Sequence, residues 1–166
     1  MIAALDVHYG SRSASAAGVL FEDWTSEVAY VQVVDEVAWI EPYEPGSFYK
    51  RELPCLLIIL DRLDRAFEIA IVDGYVWLGP ESRPGLGAHL FEALGKTVPV
   101  LGVAKSPFKA GTWAVPIFRG RSRKPLYVTA AGMDALQAAK NIQSMPGPHR
   151  IPTMLKLVDS LSRRTD

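Results

Sequence analysis

Four carboxylates and one lysine in this 166-residue sequence sit where chemistry is a reasonable expectation. Asp6 interrupts the apolar run IAALDVHY, and a carboxylate in a buried strand costs several kcal/mol unless it is paired or bound to a cation. Asp6 therefore reads as a ligand rather than a structural acid. Asp73 follows Ile69, Ala70, Ile71 and Val72 and precedes Gly74, at the carboxyl end of a run with no polar alternation. Open α/β sheets place their ligands at such strand ends, although an acid-capped turn has the same appearance. Glu52 lies in the first turn of a helical stretch, where a carboxylate also suits the helix dipole. Asp159 follows the apolar stripe Met154, Leu155 and Val158, and Lys105 closes the apolar run VPVLGVA, where a lysine is either simply solvated or in contact with an anionic substrate.

The elements that must position these groups alternate in type. Ile2–Tyr9, Ala14–Phe21 and Glu27–Val34 read as three strands of an antiparallel meander. The stretch EPYEPGSF, residues 41–48, has two prolines and a glycine and is a stiff loop presenting Tyr43. Leu53, Leu56, Leu57, Leu60, Leu63 and Phe67 recur at helical spacing from Tyr49 to Phe67. The apolar run Ile69–Val72 has the pattern of a strand covered on both faces. A short helix over Leu86–Gly95, a strand over Val98–Val103, a hairpin from Thr112–Phe118 to Pro125–Thr129, and helices over Met133–Met145 and Pro152–Arg164 complete the chain. The hairpin encloses a basic turn, RGRSRK, in which Arg119, Arg121, Arg123 and Lys124 are either solvated or available to phosphates.

Composition bounds the function. With 49% hydrophobic and 22% charged residues, the chain has the profile of one soluble domain over residues 1–166. No run reaches the length of a membrane span and no secretory leader pattern opens the sequence, so a cytoplasmic, membrane-free and monomeric protein is expected. Cys55 is the single cysteine, which excludes an internal disulfide and a cysteine-rich metal site. The formal net charge of zero hides an asymmetry. Arg12 alone faces the many acids of residues 1–49, whereas Asp134 is the lone acid of the strongly basic stretch 105–150. Such a division is either coincidence or what a protein needs when it holds both a polyanion and metal cations.

Three meander strands followed by helix, strand, helix and strand resemble the ribonuclease H-like order. The resemblance implies an α/β fold of three layers with a mixed five-stranded central sheet and flanking helices. Acids in that fold come from the first strand, a following helix, the central strand and a late helix. Asp6, Glu52, Asp73 and Asp159 occupy those places. Four converging carboxylates repel one another unless cations neutralise them, and an all-oxygen site suits Mg²⁺, with Mn²⁺ as substitute.

More closely, the chain resembles the endonuclease V family, which cuts nucleic acid near deaminated bases, chiefly inosine. ALDVHY is similar to that family's first strand. PYEPGSFYKRELP resembles its wedge loop and metal glutamate, matching Tyr43, Pro45, Gly46 and Glu52. IVDG, GLGAHL, VLGVAKS, PLYVTAAG and HRIPTMLKLVDSLSR follow in the family's order. The resemblance implies Asp6, Glu52, Asp73 and Asp159 as metal ligands, Lys105 beside the phosphate or attacking water, and Tyr43 as the wedge. It implies a cut on the 3′ side, one phosphodiester beyond the base, which is read after leaving the stack. Nucleic acid, DNA or RNA, is the implied partner, and repair the implied role.

The chain also departs from the family. Gly79 stands where a histidine is usual, the late strand ends in AAGM without a glycine–histidine pair, Glu44 charges the wedge loop, and the family's N-terminal helical segment has no counterpart before Ile2. These departures define two rival expectations: a relative that binds nucleic acid without cutting it efficiently, and a nuclease of the same fold with another substrate.

Overall fold

The structure, a computed structural model, describes residues 1–10, 13–38, 42, 44–108 and 113–164. Its centre is a seven-stranded mixed sheet in the order β3-β2-β1-β4-β5-β7-β6. The strands are β1 (Ile2–Tyr9), β2 (Ala14–Phe21), β3 (Val31–Val37), β4 (Ile69–Asp73), β5 (Val100–Ala104), β6 (Val115–Ile117) and β7 (Leu126–Ala131). β1 pairs with β4, and β4 with β5, in parallel, while the remaining pairs are antiparallel.

Four helices cover the two faces: α1 (Tyr49–Arg62), α2 (Leu86–Ala93), α3 (Ala135–Ser144) and α4 (Thr153–Ser162). Period-two alternation in β1 decides which side chain meets which layer. Ala3 and Leu5 join Cys55, Leu56 and Ile59 of α1 and Leu90 of α2 in one core. Ile2 and Ala4 join Ile142 of α3 and Met154, Val158 and Leu161 of α4 in the other. β4 divides in the same way, with Ala70 and Val72 on the first side and Ile71 on the second. Its unbroken apolar run is thus the signature of a strand buried on both faces.

The sheet is two strands wider than expected, because β7 of the expected hairpin pairs with β5 and carries β6 at the edge. The third strand begins later than Glu27: Val28 and Tyr30 are 78% and 57% exposed in the preceding turn, and pairing with β2 starts at Val31. α1 stops at Arg62 rather than Phe67, with Asp64 turning out of the helix at a φ of 45°. The architecture is the ribonuclease H-like type.

One close approach fixes the chain after Asp73. Gly74 has a φ of 122°, open to glycine and strained for other residues. The segment 74–76 then folds back over β5, where a Cβ on Gly102 would lie 2.6 Å from the Gly74 carbonyl oxygen and 2.8 Å from the Val76 amide nitrogen. That amide donates to the Thr129 hydroxyl of β7 at 2.8 Å.

Candidate active site

Strand register brings the first two acids together. β1 and β4 pair up to Leu5 and Val72, so Asp6 and Asp73 stand side by side at the next position. Asp73 in turn is level with Val103 of β5, which puts Lys105 just beyond the same sheet edge. Glu52 arrives from α1 on one face and Asp159 from α4 on the other. Asp6, Glu52 and Asp159 are all buried, each 8% exposed, whereas the Asp73 side chain is 37% exposed.

Lys105 is the cation in the middle. Its ammonium donates to Asp73 Oδ2 at 2.8 Å and to Asp159 Oδ1 at 3.2 Å. Burial opposes its charge, but the bonds to Asp73 and Asp159 prevail and hold its pKa above the ordinary lysine value. Asp159 is compensated further: Arg163 Nε and Nη2 both lie 3.2 Å from Oδ1, and Lys156 Nζ lies 3.4 Å from Oδ2. Burial alone would raise the Asp159 pKa; the bonds from Arg163 and Lys105 outweigh it and bring it down to about 2.

Among the described residues Asp6 and Glu52 form no ion pair, and the charges of Lys105 and Arg51 nearby only partly offset their burial. Asp6 accepts a hydrogen bond from Ser162 Oγ, yet its pKa is raised, chiefly by burial. Glu52 is pushed up to about 8 by burial, and then by the charges of Asp6 and Asp73, with Arg51 only partly offsetting them. Asp6, Glu52 and Asp73 line one cleft of about 280 Å³, together with Phe48, Gly74, Leu86 and Arg163. Asp6 and Asp73 also border a small cavity with Lys105 and Asp159. Among the described residues no group of three His, Cys, Asp or Glu side chains is already drawn into a metal cage.

The donor set nonetheless fits a hard divalent cation. Two buried carboxylates with raised pKa values and a third, more open one paired with Lys105 face a common cleft, where the two buried acids have no ion pair among the described residues. The oxygen-only chemistry of Asp6, Glu52 and Asp73 suits Mg²⁺ or Mn²⁺ rather than a soft metal.

The basic turn is divided in two. Arg121, Arg123 and Lys124 lie toward solvent, but Arg119 is only 7% exposed. Its guanidinium donates to the backbone carbonyls of Gln143, Met145, Gly147, His149 and Arg150, wrapping the loop ahead of α4 around one cation. Arg119 thus faces the interior, and the three other cations of the turn face outward. Pro45 and Gly46 form an exposed turn ahead of α1, and Glu44 beside them pairs with Lys50 at 2.6 Å. Tyr43 lies outside the described residues.

Sequence reasoning passed over three supporting side chains. Ser162 and Arg163 follow Asp159 by three and four residues, the spacing that puts side chains on one helix face, so they were findable. Arg150 was not: it reaches from the loop before α4 to the carbonyls of Lys105 and Pro125, a contact no local pattern announces.

Comparison with known proteins agrees with this fold. The family model described as Endonuclease V matches residues 1–145. Endonuclease V of Streptomyces avermitilis is 32% identical over 171 residues, covering 90% of this chain and 72% of the relative. Endonuclease V of Azotobacter vinelandii is 31% identical over 187 residues, covering 99% and 82%. Among solved structures, the S. avermitilis enzyme superposes with a TM-score of 0.77 at 25% identity, over 98% of this chain and 79% of that one. Ciona intestinalis endonuclease V, in complex with a 24mer DNA containing an inosine followed by a ribo-adenosine, gives 0.78 at 20% identity, over 98% and 84%. With its family match, its relatives and its fold in agreement, the chain belongs to the endonuclease V family.

Proposed function

We propose that the protein is a divalent-metal-dependent endonuclease that hydrolyses a phosphodiester bond near deaminated bases, inosine above all, in DNA or RNA. The observation that carries this reading is the meeting of Asp6, Glu52 and Asp73 in one cleft with Lys105 at its edge. A binding module has no use for mutually repelling buried acids, whereas a hydrolase does. Asp6, Glu52 and Asp73 hold Mg²⁺ or Mn²⁺, with Asp159 completing the acid set behind Lys105. When bound, such an ion supplies Lewis acidity for in-line displacement at phosphorus.

The chain's own residues do the rest. Lys105, kept charged by two carboxylates, offers an ammonium to a phosphate oxygen or to the attacking water. Arg150 fixes the lysine's backbone, and Ser162 orients Asp6. The outward-facing Arg121, Arg123 and Lys124 attract the polyanion, and the turn at Pro45 and Gly46, with Tyr43 two positions earlier in the sequence, contacts the strand beside the lesion.

The test is cutting of matched DNA and RNA oligonucleotides, with and without inosine, in Mg²⁺, Mn²⁺ or chelator. Asp73→Asn should abolish cutting while leaving the fold intact. Mg²⁺ should raise the melting temperature of the parent and much less that of the variant, because a ligand bound only by the folded state adds to stability. Equal stabilisation of both would remove Asp73 from the ligand set.

A further inference from the structure

A second cleft of about 270 Å³ contains none of the four acids and is lined by Leu78, Gly79, Pro80, Glu81, Arg83, Phe108 and Trp113. Its walls are aromatic. The Phe108 and Trp113 rings stand nearly perpendicular, at 84° with centroids 6.4 Å apart, and Tyr75 packs against both at 6.1 and 6.0 Å. Its rim is polar and charged. The Arg83 guanidinium carbon lies 5.8 Å from the Phe108 centroid, and Glu81 lines the same cleft.

This cleft is built on the loops that leave the reactive strand ends. The Tyr75 hydroxyl donates to the Ser106 carbonyl at 2.7 Å and accepts from the Phe108 amide at 3.1 Å. Tyr75 is two residues beyond Asp73, and Ser106 is one beyond Lys105. The Trp113 indole is anchored to the first of these loops by donating to the Trp77 carbonyl at 2.9 Å. The two loops that run on from Asp73 and Lys105 are thus tied to each other and carry the walls of the cleft.

We infer that this cleft is a stacking subsite for one unpaired nucleobase flanking the phosphodiester held at the carboxylates. A base presents a flat π face and an edge of donors and acceptors. Phe108 and Trp113 match the face, and the Arg83 guanidinium and Glu81 carboxylate match the edge. A base inside a duplex keeps its face against its neighbours and cannot enter, so the subsite favours strands that are single or opened beside the cut.

This inference rests on the nuclease reading above, and the experiment separates the two. Inosine-containing single strands carrying an abasic residue at each flanking position in turn are titrated against the protein in chelator. One flank should be sensitive, binding roughly ten-fold more weakly without its base, the size expected from removing one base–aromatic stack. Trp113→Ala should remove that sensitivity, and Trp113→Phe, which keeps a ring but not the bond to Trp77, should retain it. In the parent, 5-iodouracil at the sensitive position should cross-link under ultraviolet light to Phe108 or Trp113, a readout that holds even where Trp113→Ala fails to fold. Abasic strands that bind as tightly as intact ones at every flank, or cross-links confined to other residues, overturn the subsite while leaving cutting untouched. A parent that neither binds nor cuts any of these strands overturns both readings.

Discussion

Replacing Glu52 by glutamine isolates the cost of gathering acids around the cleft. Burial, with Asp6 and Asp73 nearby, raises this carboxyl from its ordinary 4.5 to about 8. Between those values the unfolded chain has released its proton and the folded protein has not. The folded state then binds more protons, and its stability falls as pH rises, by about 1.4 kcal/mol per pH unit. The contribution is fully present below pH 4.5, has fallen by about 3 kcal/mol at pH 7, and levels off above about pH 8. Glutamine keeps the shape of the protonated side chain and does not titrate. Glu52→Gln should therefore melt about 6–12 °C above the parent at pH 7 in chelator, at the usual conversion for a chain of this size, and the gap should close toward pH 4.5. Asp6, also raised, slopes the same way in both proteins. Asp159 acts on the acid side, where its contribution disappears as pH falls toward about 2. Thermal denaturation from pH 4.5 to 8.5 reads the difference. Parallel pH profiles for parent and variant would show that Glu52 ionises freely and that the cleft carries no excess of negative charge.

The other expected outcomes concern the frame and the polyanion surface. Arg119→Ala leaves several backbone carbonyls without their donor and should destabilise the fold by about 3 kcal/mol or more in urea denaturation. In variants that still fold, it should leave the salt dependence of nucleic-acid binding unchanged. Reversing Arg121, Arg123 and Lys124 together should do the opposite: little change in melting temperature, and a salt slope reduced by about 0.9 for each phosphate that is no longer neutralised. An unchanged slope would make the turn a solvated loop. Gly102→Ala pushes a methyl into the Gly74 carbonyl and should cost about 1–3 kcal/mol, measured as a lower urea midpoint. A neutral result would mean that the 74–76 segment can shift away without strain.

Much of the site was legible because burial leaves a signature in sequence. Asp6 and Asp73 each end or interrupt an apolar run, and a strand buried on both faces cannot hide a charge among its neighbours. Glu52 and Asp159 were harder, since a first-turn acid and an acid beside an apolar stripe both have ordinary structural explanations; only the likeness to the ribonuclease H-like order and to the family joined them to the other two. Arg119 shows the limit. It sits in the basic run RGRSRK and looks like its neighbours, but its burial depends on a loop about thirty residues later folding over it. The place of β7 beside β5 was equally hidden, because a hairpin carries its own register but not the identity of the strand it will join. The later start of β3 has a local cause: Val28 and Tyr30 are strand-forming residues left in an exposed turn.

The hydrogen bond from Ser162 to Asp6 spans 156 positions along the chain, and α4, which carries Ser162 and Asp159, packs against β1 and β2. β1, α1 and β4 lie within the first seventy-three residues and carry Asp6, Glu52 and Asp73. The partner that orients Asp6, and the acid that shares Lys105, both come from α4. A closure across so much chain is entropically slow relative to local helix formation. A chain cut before α4 would keep Asp6, Glu52 and Asp73 but lose both the hydrogen bond that Asp6 accepts and the second carboxylate on Lys105.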